Sequence, residues 1–549
     1  MTRQRAVLSL LFACAVFYLI PLAFHGLWAP DETRYAQVSQ EMLLTGDWAS
    51  PHFMGLRYFE KPVAGYWMIA AGQALFGQNL FGVRVASAFS LGLSVLLAYL
   101  FAQRLWRDPR RSLACAVLYM SFGLVVGLAG YSNIDPPFTL WVNLSFMALW
   151  WAFDSDSRRA RAWAWAAVGL TCGIGVMTKG FLALALPVLV AVPYMIWQKR
   201  FAELLRYGCI AVLVAVLICL PWAITVQLQE PDFWHFFFWH EHIQRFAGDD
   251  AQHNEPIWFY LPLLVLSSLP WAALLPMTLE HSWRQRLQPK IIFLALWLLL
   301  PLALLSLAKG KLPTYILPCM LPLALLMGHS VVAALEAGRH RSLRVNSVLN
   351  AVLGVLCIGM LAAVQHRRPI YIGEPWHVSL INIALLAWVA THLVSSFKPA
   401  RYWMAPALGM GLLVALLPTV LPAAVVNRKT PDAFIAQHSA ELKQMNTLMA
   451  NELGAAAAVS WHTAKPQIYL YNTEGEANYG LNYPDSQHRR VTLDSVGRWI
   501  IDARKAGSVG VVMRIKGEGE DHELDRLPRD AKRYEQGGLV ILIYAQTPP

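Results

Sequence analysis

Long apolar runs, separated by short polar or basic breaks, recur from the N-terminus to about residue 424 and then stop. Most approach the roughly 17–25 residues that cross a bilayer as a helix. The pattern predicts about thirteen spans, near 6–27, 81–103, 112–131, 137–153, 162–177, 181–197, 207–228, 257–279, 291–308, 315–335, 347–365, 378–396 and 402–424. The stretch 63–77, VAGYWMIAAGQALFG, is apolar but short and glycine-rich, which predicts an interfacial or re-entrant helix. Beyond 424 the rhythm changes to that of an α/β domain. A polar helix over PDAFIAQHSAELKQMNTLMANEL leads into strand-like AAAAVSW and QIYLYN, a second helix over LDSVGRWIIDARKAG, and strands VGVVMRI and LVILIYAQ. The expectation is a transmembrane domain over 1–424 and a soluble α/β domain over 425–549, large enough for its own core.

Composition agrees with that division. The chain is 56% hydrophobic and only 14% charged, against about 25% in soluble domains, so it reads as a polytopic α-helical membrane protein. Its net charge of +11 would suit nucleic acid, but the basic residues cluster in short breaks such as RLWRDPRR (104–111), SRRAR (157–161) and RHRSLR (339–344). That distribution is a positive-inside signal rather than a nucleic-acid surface. With Arg3 and Arg5 in the cytoplasm, an odd number of spans leaves the C-terminal domain on the far side, and only Arg367 and Arg368 oppose the rule. All seven cysteines lie in or beside apolar runs, so no disulfide framework is indicated. No P-loop, GxGxxG after a strand, or GxSxG elbow is present, which removes sequence support for nucleotide chemistry.

This threading gathers the unusual polar groups at one membrane face. WAPDETRYAQ (28–37) and LRYFEKP (56–62) share the first outer loop, SNIDPP (132–137) forms the second, MTKG (177–180) the third, 229–256 the fourth and AKGKLPTY (308–315) the fifth. Lys61, Lys179, Arg245, Lys309 and Lys311 are cations suited to phosphate, and Tyr35, Tyr58 and Tyr315 add hydroxyl donors. Asp31, Glu60 and Asp135 supply carboxylates beside them, and Glu32 adjoins Asp31. Charges at span ends also serve as plain interfacial anchors, but five such loops on one face favour a site. Polar groups at the surface rather than the bilayer midplane favour transfer chemistry over transport. The fourth loop is an aromatic belt by composition, while Glu60, His242 and His253 form an alternative zinc set, as a structural ion.

WAPDETRYAQ, LRYFEKPVAGYW, VMTKGFLALALP, HIQRFAGDDAQH and AKGKLPTYI, in that order, with YGLNYPD (479–485) in the tail, resemble the 4-amino-4-deoxy-L-arabinose transferases of lipid A, ArnT-like members of the GT-C glycosyltransferase superfamily. The resemblance implies a bacterial inner-membrane enzyme with its site and C-terminal domain on the periplasmic face. Its donor would be undecaprenyl phosphate-linked aminoarabinose and its acceptor a lipid A phosphate. Such modification lowers outer-membrane negative charge and gives resistance to polymyxin and other cationic peptides. The resemblance places the essential carboxylate at Asp31 and implies no cofactor for the chemistry. Asp31 is then either a general base or an electrostatic and recognition group, because a phosphate acceptor, with a second pKa near 6, is already an anion. The alternatives are a GT-C transferase of another polyprenyl-phosphate-linked sugar to protein or glycan, and a lipid-linked sugar flippase.

Overall fold

Each apolar run expected to span the membrane falls on a helix or on a bent pair of helices. The computed structural model describes residues 3–244, 254–473, 475–515 and 521–547. Among these, eight helices are long and apolar enough to cross, and three bent pairs raise the number to eleven. Asp135–Asp154 and Leu182–Trp197 occupy the two remaining runs. The first bent pair, Pro109–Ser121 with Gly123–Ala129, turns by 64°, and Tyr260–Ser267 with Ala272–Arg284 turns by 110°. A broken helix leaves carbonyls that lipid cannot satisfy. Here the Pro270 carbonyl accepts from Asn346 Nδ2 at 3.0 Å and Asn350 Nδ2 at 2.8 Å.

The chain divides into two compact units, one of 1–22 with 84–420 and one of 23–83 with 421–549. In the first, helices approach closely wherever small residues permit. A Cβ at Gly169 would lie 2.3 Å from the Ala211 carbonyl oxygen, and one at Gly173 would lie 3.1 Å from that of Ala215. This is a GxxxG face that lets Arg158–Lys179 pack backbone to backbone on Phe201–Gln229. Aromatic rings fill the wider gaps, with Phe146 stacked on Trp297 at 4.4 Å and Phe153 on Tyr194 at 5.0 Å.

The second unit contains the C-terminal sheet and, with it, residues 23–83. The hydropathy pattern divides the chain at 424/425; by contacts, residues 23–83 group with the tail. Strands run in the order Arg490–Val491, Ile468–Tyr471, Thr447–Ala450, Val509–Arg514, Leu539–Tyr544, Lys532–Gln536. The first four are mutually parallel and the last two pairings are antiparallel, with Leu448 opposite Ile468 and Val511 opposite Leu542. Val509, Val511, Val540 and Leu542 are buried in the sheet core with Met449, Ile500 and Tyr544. The edge strand KRYEQ is charged, which blunts it against further pairing; that same polarity hid it from the hydropathy pattern.

Two expectations for the tail are corrected. AAAAVSW is not a strand but lies in the helix Leu453–Thr463. Alanine is the strongest helix former, and the Glu452 carboxylate caps the N–H groups of Gly454 and Ala455 at 3.2 and 2.8 Å. The helix is buried nearly all round, so it shows no polar stripe. The long polar helix is also broken: Pro431–Gln437 and Ser439–Gln444 are helical, but Thr447–Ala450 is a strand between two parallel neighbours. Its three buried residues, Leu448 to Ala450, are consecutive and apolar, so they carry no alternation to announce a strand.

The segment 63–77 forms the helix Ala64–Phe76. The helix Asp31–Thr45 opens with two acids at the positive end of its dipole and closes on Gly46 at φ 72°. Most of its polar side chains are buried and spoken for within this unit. Gln37 donates to Ser460 Oγ at 3.2 Å, Gln40 to the Trp461 carbonyl at 2.9 Å, and the Trp461 indole to Gln73 Oε1 at 3.0 Å.

Candidate functional site

In the second unit, the helix beginning at Asp31 presents Arg34 one turn later. Arg34 Nη2 donates to Asp31 Oδ1 at 2.6 Å, and its Nη1 pairs with Glu476. Tyr58 Oη donates to the same Glu476 oxygen at 3.1 Å. The Arg34 side chain is 10% exposed and that of Glu476 22%, whereas Asp31 is 37% exposed. Asp31 is therefore the most exposed of these three side chains. Its neighbour Glu32 is fully buried and accepts from the Trp28 N–H at 3.0 Å, so the adjacent carboxylates have divided roles.

Local geometry brings Tyr58 and Glu476 together. His52–Phe53 and Leu56–Arg57 pair across a two-residue turn in which Met54 and Gly55 have φ 56° and 72°, as a primed hairpin turn requires. The Met54 N–H donates to Gln37 at 3.0 Å and the Gly55 N–H to Glu41 at 2.9 Å, tying this turn to the Asp31–Thr45 helix. On the other side, a Cβ at Gly480 would stand 2.6 Å from the Arg57 carbonyl, so only glycine admits this approach. Phe59 then meets Tyr479 at 5.7 Å, while Arg57 pairs with Asp485 at 2.8 Å and lies 4.2 Å from the centre of the Tyr483 ring.

Electrostatics keep the network charged. Burial opposes ionisation of Glu476, but the Arg34 charge and the hydrogen bonds from Arg34 and Tyr58 outweigh it and hold its carboxyl below the usual range. Burial likewise opposes the Arg34 charge, and Tyr58, Glu476, Tyr35 and Asp31 together hold the guanidinium proton more tightly than usual. Burial raises the Tyr58 hydroxyl pKa, so it remains a donor. The Tyr35 ring lies 5.1 Å from the Arg34 guanidinium and 5.9 Å from Tyr66. Glu60 and Lys61 are half-buried beside this hairpin, with Lys61 Nζ donating to the Glu60 carbonyl at 2.8 Å.

The first unit holds Asp135, Lys179, Lys309, Lys311 and Tyr315. Asp135 opens the helix Asp135–Asp154 and is buried, and Lys179 closes Arg158–Lys179. The two form an ion pair. Lys179 Nζ also sits 4.0 Å from the centre of the Tyr315 ring and 5.7 Å from that of Phe138. Lys311 is buried and donates to the Glu255 carbonyl at 2.6 Å. Lys309 is half-buried, and its carbonyl accepts from the Glu255 N–H at 3.3 Å. Lys179 and Lys311, read from sequence as phosphate cations, thus have partners of their own.

Arg245 and His253 lie outside the described residues, as does the side chain of His242 on the helix His235–Gln244. Among the described residues, no group of three or more His, Cys, Asp or Glu is placed to hold a metal. Phe233 stacks on Phe237 at 5.6 Å and meets Trp222 edge-on, an aromatic cluster at the start of the fourth loop. Sequence reading passed over Arg34 and Glu476. Arg34 was signalled by its i, i+3 spacing from Asp31, whereas Glu476 had only its nearness to YGLNYPD.

Two family models match the chain: the arabinosyl transferase ArnT C-terminal domain over residues 426–543, and dolichyl-phosphate-mannose-protein mannosyltransferase over 4–237. An undecaprenyl phosphate-alpha-4-amino-4-deoxy-L-arabinose arabinosyl transferase 1 of Pseudomonas fluorescens is 62% identical over 549 residues, covering 100% of both chains. The arabinosyl transferase of that name from Pseudomonas aeruginosa strain UCBPP-PA14 is 56% identical over the same full length. The crystal structure of ArnT from Cupriavidus metallidurans bound to undecaprenyl phosphate shares the fold, with a TM-score of 0.84 at 22% identity over 99% of this chain and 98% of that one.

Proposed function

The chain belongs to the family of undecaprenyl phosphate-alpha-4-amino-4-deoxy-L-arabinose arabinosyl transferases, and on that premise we propose how its residues divide the reaction. The protein is a polytopic membrane glycosyltransferase that moves 4-amino-4-deoxy-L-arabinose from undecaprenyl phosphate to a lipid A phosphate. An acceptor phosphate oxygen attacks the anomeric carbon, the bond from that carbon to the polyprenyl phosphate oxygen breaks, and undecaprenyl phosphate departs as a monoester.

The Asp31–Arg34–Glu476–Tyr58 network carries the assignment of the catalytic carboxylate. The acceptor is already an anion and needs no base. Asp31, oriented by Arg34 and opening to solvent, instead answers positive charge: the sugar ammonium on binding, and the oxocarbenium character that develops at the anomeric carbon. Lys61, with Glu60 beside it, is assigned to the phosphate of the donor. The first outer segment and the C-terminal domain face the periplasm of a bacterial inner membrane. The transfer as proposed uses no cofactor; the zinc alternative read from Glu60, His242 and His253 would be supported by elemental analysis showing one zinc per chain that is lost in His242→Ala.

Mass spectrometry of lipid A from cells with the protein, without it, and with Asp31→Asn at equal abundance tests the reading. Aminoarabinose on lipid A in the first case alone supports it. Full modification by Asp31→Asn sinks the assignment of Asp31.

A further inference from the structure

Lined by none of the residues assigned to the candidate site, a cavity of about 830 Å³ opens where the helix Leu275–Arg284 and the span Pro313–Glu336 end and the span Arg341–Arg367 begins. Its lining includes Arg284, Arg339, Arg341 and Arg344 against a single carboxylate, Glu280. Glu280 is already engaged, accepting from Arg284 at 2.5 Å, and Arg344 Nε donates to the Ser396 carbonyl at 3.2 Å. Arg339 and Arg341 are exposed, and among the described residues neither meets a carboxylate. His340, between them, lines the cavity with a buried Nδ1 that has no hydrogen-bond partner among the described residues. Such a concentration of guanidinium groups suits one chemistry above others, a phosphate held by several charge-assisted hydrogen bonds.

The surroundings of the cavity indicate where that phosphate comes from. It sits at the ends of helices that cross the membrane, the level occupied by lipid headgroups. The helices bordering it expose apolar side chains: Leu279 is 70% exposed, Trp283 65%, Val345 45% and Val348 44%. A free anion would use the arginines and leave these untouched. A phospholipid would use both, placing its phosphate in the cavity and its acyl chains along Leu275–Arg284 and Arg341–Arg367. We propose that this cavity binds the headgroup of an anionic phospholipid, a site separate from the one that transfers the sugar.

The test is binding of short-chain phosphatidylglycerol, phosphatidylcholine and inorganic phosphate to the full chain in neutral detergent. The double substitution Arg339→Gln/Arg341→Gln is compared with the unaltered protein. Each arginine near a membrane surface contributes about fivefold to binding an anionic lipid, so the double variant should bind phosphatidylglycerol about 25-fold more weakly. Glu280→Gln, which removes the only carboxylate and releases Arg284, should bind it more tightly, an effect that misfolding cannot mimic. Preference for phosphatidylglycerol over both other probes, together with these opposite shifts, supports the site. Equal binding of phosphatidylcholine, or an unchanged affinity in both variants, overturns it. Inorganic phosphate binding as tightly as phosphatidylglycerol overturns the lipid as occupant.

Discussion

Arg34 Nη2 donates to Asp31 Oδ1 at 2.6 Å across one turn of helix, and the same guanidinium reaches Glu476, 442 positions along the chain. One planar fork thus sets the direction of the half-buried Asp31 carboxylate and fastens it to the C-terminal segment. Lysine is a point charge and cannot span two carboxylates in this way.

Charge and reach at position 31 should therefore both matter. Asp31→Asn keeps the size of the side chain and loses its charge, and transfer should fall by at least about 100-fold, the scale of removing one electrostatic stabiliser. Asp31→Glu moves the charge by one methylene and should also lose most activity. Arg34→Lys should recover part of what Arg34→Gln loses, mainly in kcat, because Arg34 acts through Asp31 and is a positioning residue. Equal activity of the lysine and glutamine variants in a purified transfer assay would contradict this.

The depressed pKa of Glu476 makes a stability prediction with a definite sign. An unfolded glutamate titrates near 4.3. Since the folded group titrates lower, its contribution to stability is complete above that value and disappears as pH falls through the folded pKa. The melting temperature of the protein should exceed that of Glu476→Gln at pH 7, and the gap should narrow below about pH 4.3. A gap independent of pH from 7 to 3 would show that Glu476 is not held as an ion.

Lys179 and Asp135 are a buried pair, with side chains 11% and 5% exposed. Lys179→Met leaves Asp135 without its counter-charge and should cost about 3–5 kcal/mol of stability, whereas replacing both by uncharged residues should recover much of it. Thermal unfolding in detergent of the single and double variants measures the difference. Equal melting temperatures for both would contradict the pairing.

The orientation proposed for the C-terminal segment can be read in a variant from which the seven natural cysteines, Cys209 among them exposed, have been removed. A cysteine placed at the exposed Arg533 should react with a membrane-impermeant thiol reagent in intact spheroplasts. One placed at the exposed Arg159 should react only after lysis. The reverse pattern would invert the threading.

The amino-acid sequence by itself determined the features that depend on local hydropathy and short-range periodicity. The apolar runs fall on helices because each buries its backbone hydrogen bonds within its own segment. Ile468–Tyr471, Val509–Arg514 and Leu539–Tyr544 were legible as strands because their apolar and β-branched runs are bounded by turn residues. Asp31 stood out by its place in WAPDETRYAQ, directly after the first apolar run, and by the family resemblance that this stretch carries. Tertiary structure decided what depends on partners distant in the chain. It made AAAAVSW a helix, buried Glu32 while leaving Asp31 open, occupied Lys179 with Asp135, and brought Glu476 to Arg34. None of these is written in a local pattern, because whether a charge is free, paired or buried is set by which other segment packs over it, and that choice is made by the whole folded chain.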